Sequence, residues 1–178
     1  TLFLFACLSL VLVIDSDDRD AYVSDPSGSG FVGSESCKEC HEDAFRDWRT
    51  SVHALAERPI HPDMDHSAFS PPNEIPIVDT HSQTFVRDRE FFISTMGKDG
   101  TRSEFKPERV LGETPLRQFL IRLERGAIQV TSLAFDPEKK EWFVVFGDEN
   151  RQPHEWGFWA NKGMNWNSMC AECHNTRV

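Results

Sequence analysis

Basic residues are outnumbered by acidic residues in this sequence. Its 178 residues include 19 Lys and Arg against 29 Asp and Glu, which gives a formal net charge of −10. Because Lys and Arg supply most of the affinity for nucleic acid, this charge argues against a nucleic-acid partner. The sequence also has no glycine-rich phosphate loop, no Ser-His-Asp pattern and no basic patch with interleaved aromatic residues. These absences argue against nucleotide binding and triad hydrolysis.

Long hydrophobic runs are lacking too. The run Leu2–Ile14 is interrupted only by Ser9, but it is too short to cross about 30 Å of hydrocarbon. It matches the apolar part of an export signal, so we predict residues 1–14 to be an export signal or the remnant of a membrane anchor. Residues 15–30 are acidic and rich in small residues, which predicts a flexible linker.

The sequence has five cysteines, and four of them fall in two copies of one motif. The copies are Cys37-Lys38-Glu39-Cys40-His41 and Cys170-Ala171-Glu172-Cys173-His174. This C-x-x-C-H spacing is typical of covalent c-type haem attachment. Two thiols one turn apart add to the two vinyl groups of a porphyrin, and the next imidazole then lies beneath the iron.

Zinc binding, dithiol redox chemistry and disulfide formation fit the motifs less well. A four-thiolate zinc site usually has its second pair about 15 to 20 residues on, whereas 129 residues separate Cys40 from Cys170. A redox dithiol needs a βαβ context, and two disulfides would leave both following His residues without a role. We therefore predict two covalently attached haem c groups. Their thioether anchors and proximal iron ligands are Cys37, Cys40 and His41, and Cys170, Cys173 and His174.

The first motif is predicted to open a helix. Residues 36–39 match a capping box, and apolar residues recur at intervals of three or four up to Leu55. Pro59 sets the latest end of this helix. Residues 59–74 contain four prolines and are predicted to be a loop.

A β-rich module is predicted between the motifs, at about residues 75–150. Thr84–Ile93 is predicted to form a hairpin that turns at Asp88-Arg89, and further strands are expected at 127–135 and 141–146. Pro115–Leu123 fits either a strand or a short helix. The expected fold class is therefore α+β. Haem-binding helical or loop segments at both ends flank the β-rich module of one cytochrome c-like domain, residues 31–178.

The second motif lies near the end of the sequence. Only four residues follow His174, too few for the helix that such a motif normally opens. We therefore expect the domain to be incomplete at this end, with at least one more C-x-x-C-H beyond Val178.

The residues around the motifs resemble a known family. Residues 31–34, the first motif, Trp48 and residues 51–54 are similar to the opening of multihaem c-type cytochromes related to the tetrahaem electron carrier of hydroxylamine oxidation. Residues 165–174, which contain Asn-Trp-Asn and Met-Cys, resemble the branch of that family often fused to tetratricopeptide repeats. The resemblance spans residues 31–178. It implies electron transfer outside the cytoplasm, often with bis-His haems and sometimes with one five-coordinate haem.

Two further histidines are candidate distal ligands, His53 and His154. On a continuous helix His53 would lie about 18 Å along the axis from His41, so we expect it to bind a haem other than the one at the first motif. The Ser51-x-His53 element is also part of the family resemblance. His154 is the second candidate because it leads the aromatic segment that runs into Cys170.

The favoured function is a periplasmic electron carrier that relays single electrons between redox proteins, either basic proteins or other cytochromes. The alternative is a haem enzyme in which a five-coordinate iron acts on a small nitrogen or sulfur oxyanion. The acidic net charge suits a basic partner. Haem attachment in bacteria takes place outside the cytoplasmic membrane, in agreement with the predicted export signal.

Overall fold

The computed structural model describes residues 32–77 and 80–175. The chain divides into two compact units, residues 1–45 and residues 46–178. The predicted export signal and linker at residues 1–30 lie outside the described residues. Within the described ranges, no helix is long and apolar enough to cross a membrane.

In the first unit, the first C-x-x-C-H motif begins at the last residue of a one-turn 3-10 helix, Ser34–Cys37. The predicted capping box does not form: Ser36 lies inside this turn, and its hydroxyl donates to the Gly33 carbonyl at 2.7 Å. The regular helix α1, Glu42–Arg49, begins only after the motif. Acidic residues in its first turn and basic residues in its last turn complement the helix dipole. The helix therefore opens after the motif, and the prediction that it opens within the motif is wrong.

Helix α1 also ends sooner than the apolar pattern predicts. Just beyond Arg49, the Thr50 hydroxyl donates to the Asp47 carbonyl at 3.3 Å. The Ser51 hydroxyl accepts a backbone N–H three residues further on, at 3.4 Å. Hydroxyl groups that bond to nearby backbone compete with the helical hydrogen-bond pattern. Residues 50–56 accordingly form turns, and the predicted extension of the helix toward Leu55 is wrong.

The second unit contains two antiparallel sheets, and the fold is α+β as predicted. The five-stranded sheet has the order β1-β6-β7-β8-β9 and the four-stranded sheet the order β2-β3-β4-β5. The strands are β1 Glu57–Pro59, β2 Asn73–Ile77, β3 Thr80–Arg87, β4 Glu90–Met96, β5 Arg102–Phe105, β6 Pro107–Leu111, β7 Arg117–Arg122, β8 Ile128–Asp136 and β9 Glu141–Val144. The helices are α2 Pro62–Phe69, α3 Trp166–Met169 and α4 Ala171–His174.

Several predicted strands are confirmed. β3 and β4 form a hairpin whose turn residues, Asp88 and Arg89, have φ of 52° and 65°, the left-handed values that a two-residue hairpin turn requires. β8 and β9 pair across the predicted turn at residues 137–140. The ambiguous segment Pro115–Leu123 contains a strand, β7, which pairs with both β6 and β8.

The loop predicted at residues 59–74 is wrong, since helix α2 lies within it. Pro62 is at the start of α2, where a missing N–H and a fixed φ favour helix initiation. His61 caps the helix: its Nδ1 accepts the backbone N–H of Asp63 at 3.3 Å. Of the four prolines that suggested a loop, Pro62 therefore marks the start of a helix.

The core lies between the two sheets, with Phe69 at its centre. The Phe69 ring packs 4.8 Å from the Phe91 ring, 4.9 Å from Phe119 and 5.7 Å from Trp142, measured between ring centroids. Burying one such side chain contributes roughly 1.5–3 kcal/mol. The opposite face of the five-stranded sheet carries a second, smaller apolar cluster. It contains Leu120, Val130, Trp166 and Ala171, with Leu111, Ile128, Met164 and Cys170 packed at its edge.

A buried network of charges joins β1, α2, the β6–β7 connection and β7. Arg58 donates two hydrogen bonds to the fully buried Asp65, at 2.7 and 2.9 Å, and a third to Glu113 at 2.9 Å. Arg117 pairs with the same two carboxylates. Burial alone would lower the pKa of Arg58, but its bonds to Asp65 and Glu113 raise that pKa above the usual value.

Candidate functional site

The first motif forms a single hydrogen-bonded turn. The backbone N–H of His41 donates to the carbonyl of Cys37 at 2.9 Å, which brings the two ends of the motif one helical turn apart. The side chains of Cys37, Cys40 and His41 are all exposed. Next in the chain, the N–H of Phe45 donates to the His41 carbonyl at 2.8 Å, so that the motif leads directly into α1.

The second motif forms the same turn in the second unit. The N–H of His174 donates to the Cys170 carbonyl at 3.1 Å, and the N–H of Cys173 donates to that carbonyl at 3.2 Å. Cys173 and His174 are exposed, whereas Cys170 is half-buried at the edge of the smaller apolar cluster. Burial raises the pKa of the Cys170 thiol, and the neighbouring Cys173 adds to this effect.

The donor sets of both motifs fit a covalently attached haem. The four cysteines are free thiols, and each pair shares one turn with an exposed imidazole. Two thiols can form thioethers with two vinyl groups, and the imidazole that follows supplies a nitrogen ligand for iron. In the parts of the chain that the structure describes, no group of three or more His, Cys, Asp and Glu side chains could hold a bare metal ion.

The segment that precedes the second motif is fastened to the start of β8. The Asn165 side-chain oxygen accepts the backbone N–H of Ser168 at 3.1 Å and so caps α3. Its amide nitrogen donates to the Ile128 carbonyl at 3.3 Å. The Asn167 side-chain oxygen accepts the N–H of Ile128 at 2.8 Å. Two asparagines therefore fix the position of the turn that leads into Cys170.

Apolar packing completes the support for the second motif. Trp166 and Ala171 are 3% and 0% exposed and pack with Leu120 and Val130, on the face of the five-stranded sheet that points away from the core. After the motif, the Asn175 side chain donates to the Glu57 carboxylate at 3.3 Å. The sequence marks this segment only as rich in Asn and aromatic residues, because its contacts are with strands more than thirty positions away.

The two predicted distal ligands are both on the surface. His53 is exposed in the turns of residues 50–56, and His154 is exposed in the segment after β9. Because α1 ends at Arg49, the axial distance expected from a continuous helix does not apply, and the argument about which iron His53 binds is wrong in its premise. Ligation by His53 and by His154 remains a prediction.

The structure gives His61 a different role. Its Nδ1 accepts the backbone N–H of Asp63 as the cap of α2, so that this nitrogen is occupied by a hydrogen bond. His66 on α2 and His81 on β3 are exposed.

Comparison with known families gives one match. The family model described as cytochrome c554 and c-prime matches residues 36–90, about a third of the chain. The match supports a c-type cytochrome. The matched segment includes the whole first motif and His53, whereas the second motif lies beyond it. No curated protein and no solved structure matches the chain.

A c-type cytochrome carries covalent haem c, which supplies one-electron chemistry at its iron. At the first motif, Cys37 and Cys40 would anchor the porphyrin and His41 would bind the iron. The second motif offers the same three groups on the same turn, now supported by a sheet. The polypeptide would set each potential through the axial ligands, burial and hydrogen bonds of these groups.

Proposed function

We propose that the protein is an extracytoplasmic multihaem c-type cytochrome that carries electrons between redox partner proteins through two haem c groups. The observation that carries this proposal is the repetition of one arrangement. In two separate units, a Cys carbonyl accepts the N–H of the His four residues later, at 2.9 and 3.1 Å. Each turn presents two free thiols and an exposed imidazole.

The family resemblance supports a place among the multihaem carriers related to the tetrahaem carrier of hydroxylamine oxidation. The match to the family model covers the first motif, and the Asn-Trp-Asn segment around Trp166 accompanies the second. The apolar run at Leu2–Ile14 supports an extracytoplasmic location.

A basic redox protein suits the surface beside the first motif. Within residues 35–43, four acidic residues are exposed and Lys38 is the only Lys or Arg; the acidic residues are Glu35, Glu39, Glu42 and Asp43. Long-range attraction between opposite charges raises the rate at which partners associate in a productive orientation.

Spectroscopy of the purified oxidised protein distinguishes the carrier from a haem enzyme. For the carrier we expect low-spin ferric EPR signals from both haems, and an optical spectrum that nitrite or hydroxylamine does not change. Chloride at the same ionic strength is the control for nitrite. A high-spin ferric signal that shifts only with nitrite or hydroxylamine would favour the enzyme and contradict the carrier.

A further inference from the structure

Trp166 is more deeply buried than the haem-binding side chains of the second motif, Cys170, Cys173 and His174. Its indole is 3% exposed and packs with Leu120 and Val130 on the five-stranded sheet. The residues on either side of it, Asn165 and Asn167, are hydrogen-bonded to the backbone of Ile128. The Trp166 indole is therefore held against the five-stranded sheet, directly before the second motif.

The Trp166 ring also lies against His174. The ring centroids are 5.7 Å apart and the ring planes are inclined at 47°. Aromatic rings at this separation attract each other and prefer a limited range of relative orientations. Among the residues that the structure describes, His41 makes no ring contact of this kind, so the contact distinguishes the second motif from the first.

Backbone hydrogen bonds fix the position of the His174 backbone but not the orientation of its imidazole ring. The N–H of His174 is bonded to the Cys170 carbonyl, and the next residue, Asn175, is bonded to Ala171 and to Glu57. None of these bonds involves the imidazole. The side chain itself is exposed, whereas its contact with the Trp166 ring acts on the imidazole directly.

We infer that Trp166 is a positioning residue for His174: it sets the rotation of the imidazole plane about the bond from His174 to the iron of the second haem. This inference rests on the proposed function, because it requires a haem at Cys170 and Cys173. The rotation of an axial imidazole changes the splitting of the iron d orbitals, which low-spin EPR g-values report directly. Neighbours that orient a metal-bound His tune the metal without touching it.

The test replaces Trp166 in the full-length, haem-loaded protein. Trp166→Leu removes the aromatic ring and Trp166→Phe keeps a smaller one, while Trp159→Leu is the matched control. Trp159 is 4% exposed and lies in the core between the sheets. Attachment of haem at Cys170 and Cys173 is first checked by mass spectrometry of the haem peptides of each protein.

We expect one of the two low-spin signals to shift its largest g-value, more in Trp166→Leu than in Trp166→Phe, while the other signal stays in place. Trp159→Leu should leave both signals unchanged. If Trp166→Leu does not accumulate, the smaller shift in Trp166→Phe decides the question. Unchanged g-values with haem attached, or an equal shift in Trp159→Leu, would overturn the positioning role alone. A second motif without haem in the unsubstituted protein would instead overturn the proposed function at that motif.

Discussion

Asp65 shows how a single buried side chain can organise a region of the fold. It is fully buried and accepts hydrogen bonds from Arg58, from Arg117 and from the backbone N–H of His61. With Glu113, two positive and two negative groups thereby compensate each other in the interior. Removal of one partner leaves an uncompensated buried charge, which costs far more than the loss of an exposed pair.

We therefore expect Asp65→Asn to lower the free energy of unfolding by about 3–5 kcal/mol. Denaturant unfolding followed by circular dichroism measures the change. Glu108→Gln is the matched control, since Glu108 pairs with Arg122 at the surface and should cost about 0–1 kcal/mol. Equal losses in the two variants would show that the buried network does not stabilise the fold.

His53 is the residue-scale prediction for ligation. It is exposed, it follows helix α1, which begins directly after the first motif, and it lies within the segment that matches the family model. We expect His53→Ala to convert one haem from low spin to high spin, because the iron loses its sixth ligand. His66→Ala, at another exposed histidine, should leave the spin state unchanged. Identical EPR spectra for His53→Ala and the unsubstituted protein would exclude His53 as a ligand.

At the scale of elements, sequence patterns predict strands and turns best where interactions between residues close in sequence determine the structure. The Asp88-Arg89 turn and the strands around it follow from alternation and turn residues alone. The apolar repeat misplaces helix α1 because Thr50 and Ser51 bond to nearby backbone, a competition that such a repeat does not reveal. The support of the second motif could not be predicted either. It depends on the segment 165–167 meeting a strand that is distant in sequence.

The hairpin turn itself gives a stability prediction. Arg89 is exposed and has a φ of 65°, a conformation that costs a residue with a side chain about 1–2 kcal/mol and costs Gly almost nothing. We expect Arg89→Gly to raise the free energy of unfolding by about 1 kcal/mol. Arg102→Gly, at the start of β5 where φ is not left-handed, should lower it. Chemical denaturation of both variants measures the changes, and a loss of stability in both would contradict the turn conformation.

At the scale of the whole molecule, the net charge and the two haem motifs both concern electron transfer to a partner protein. The net charge of −10 is spread over a chain with one haem motif in each of its two units. If a basic partner docks beside the first motif, ionic strength should slow electron transfer, because salt screens charges over about 10 Å at 0.1 M.

Stopped-flow oxidation of the reduced protein by a basic c-type cytochrome tests the partner proposal. We expect the second-order rate constant to fall as salt rises. The double substitution Glu35→Gln and Glu39→Gln should weaken this dependence. Glu138→Gln with Glu141→Gln, which removes two acidic residues at the β8–β9 turn, is the control. A rate that does not depend on salt would contradict a basic partner.

The most direct test of the account is the number of covalent haems on the mature chain. Denaturing electrophoresis with haem staining and intact mass spectrometry are applied to the unsubstituted protein and to two double variants. These are Cys37→Ala with Cys40→Ala, and Cys170→Ala with Cys173→Ala. For the chain up to Val178, we expect the added mass of two haems without substitution and of one haem in each variant. A chain that carries no haem mass, or a variant that keeps both haems, would contradict it.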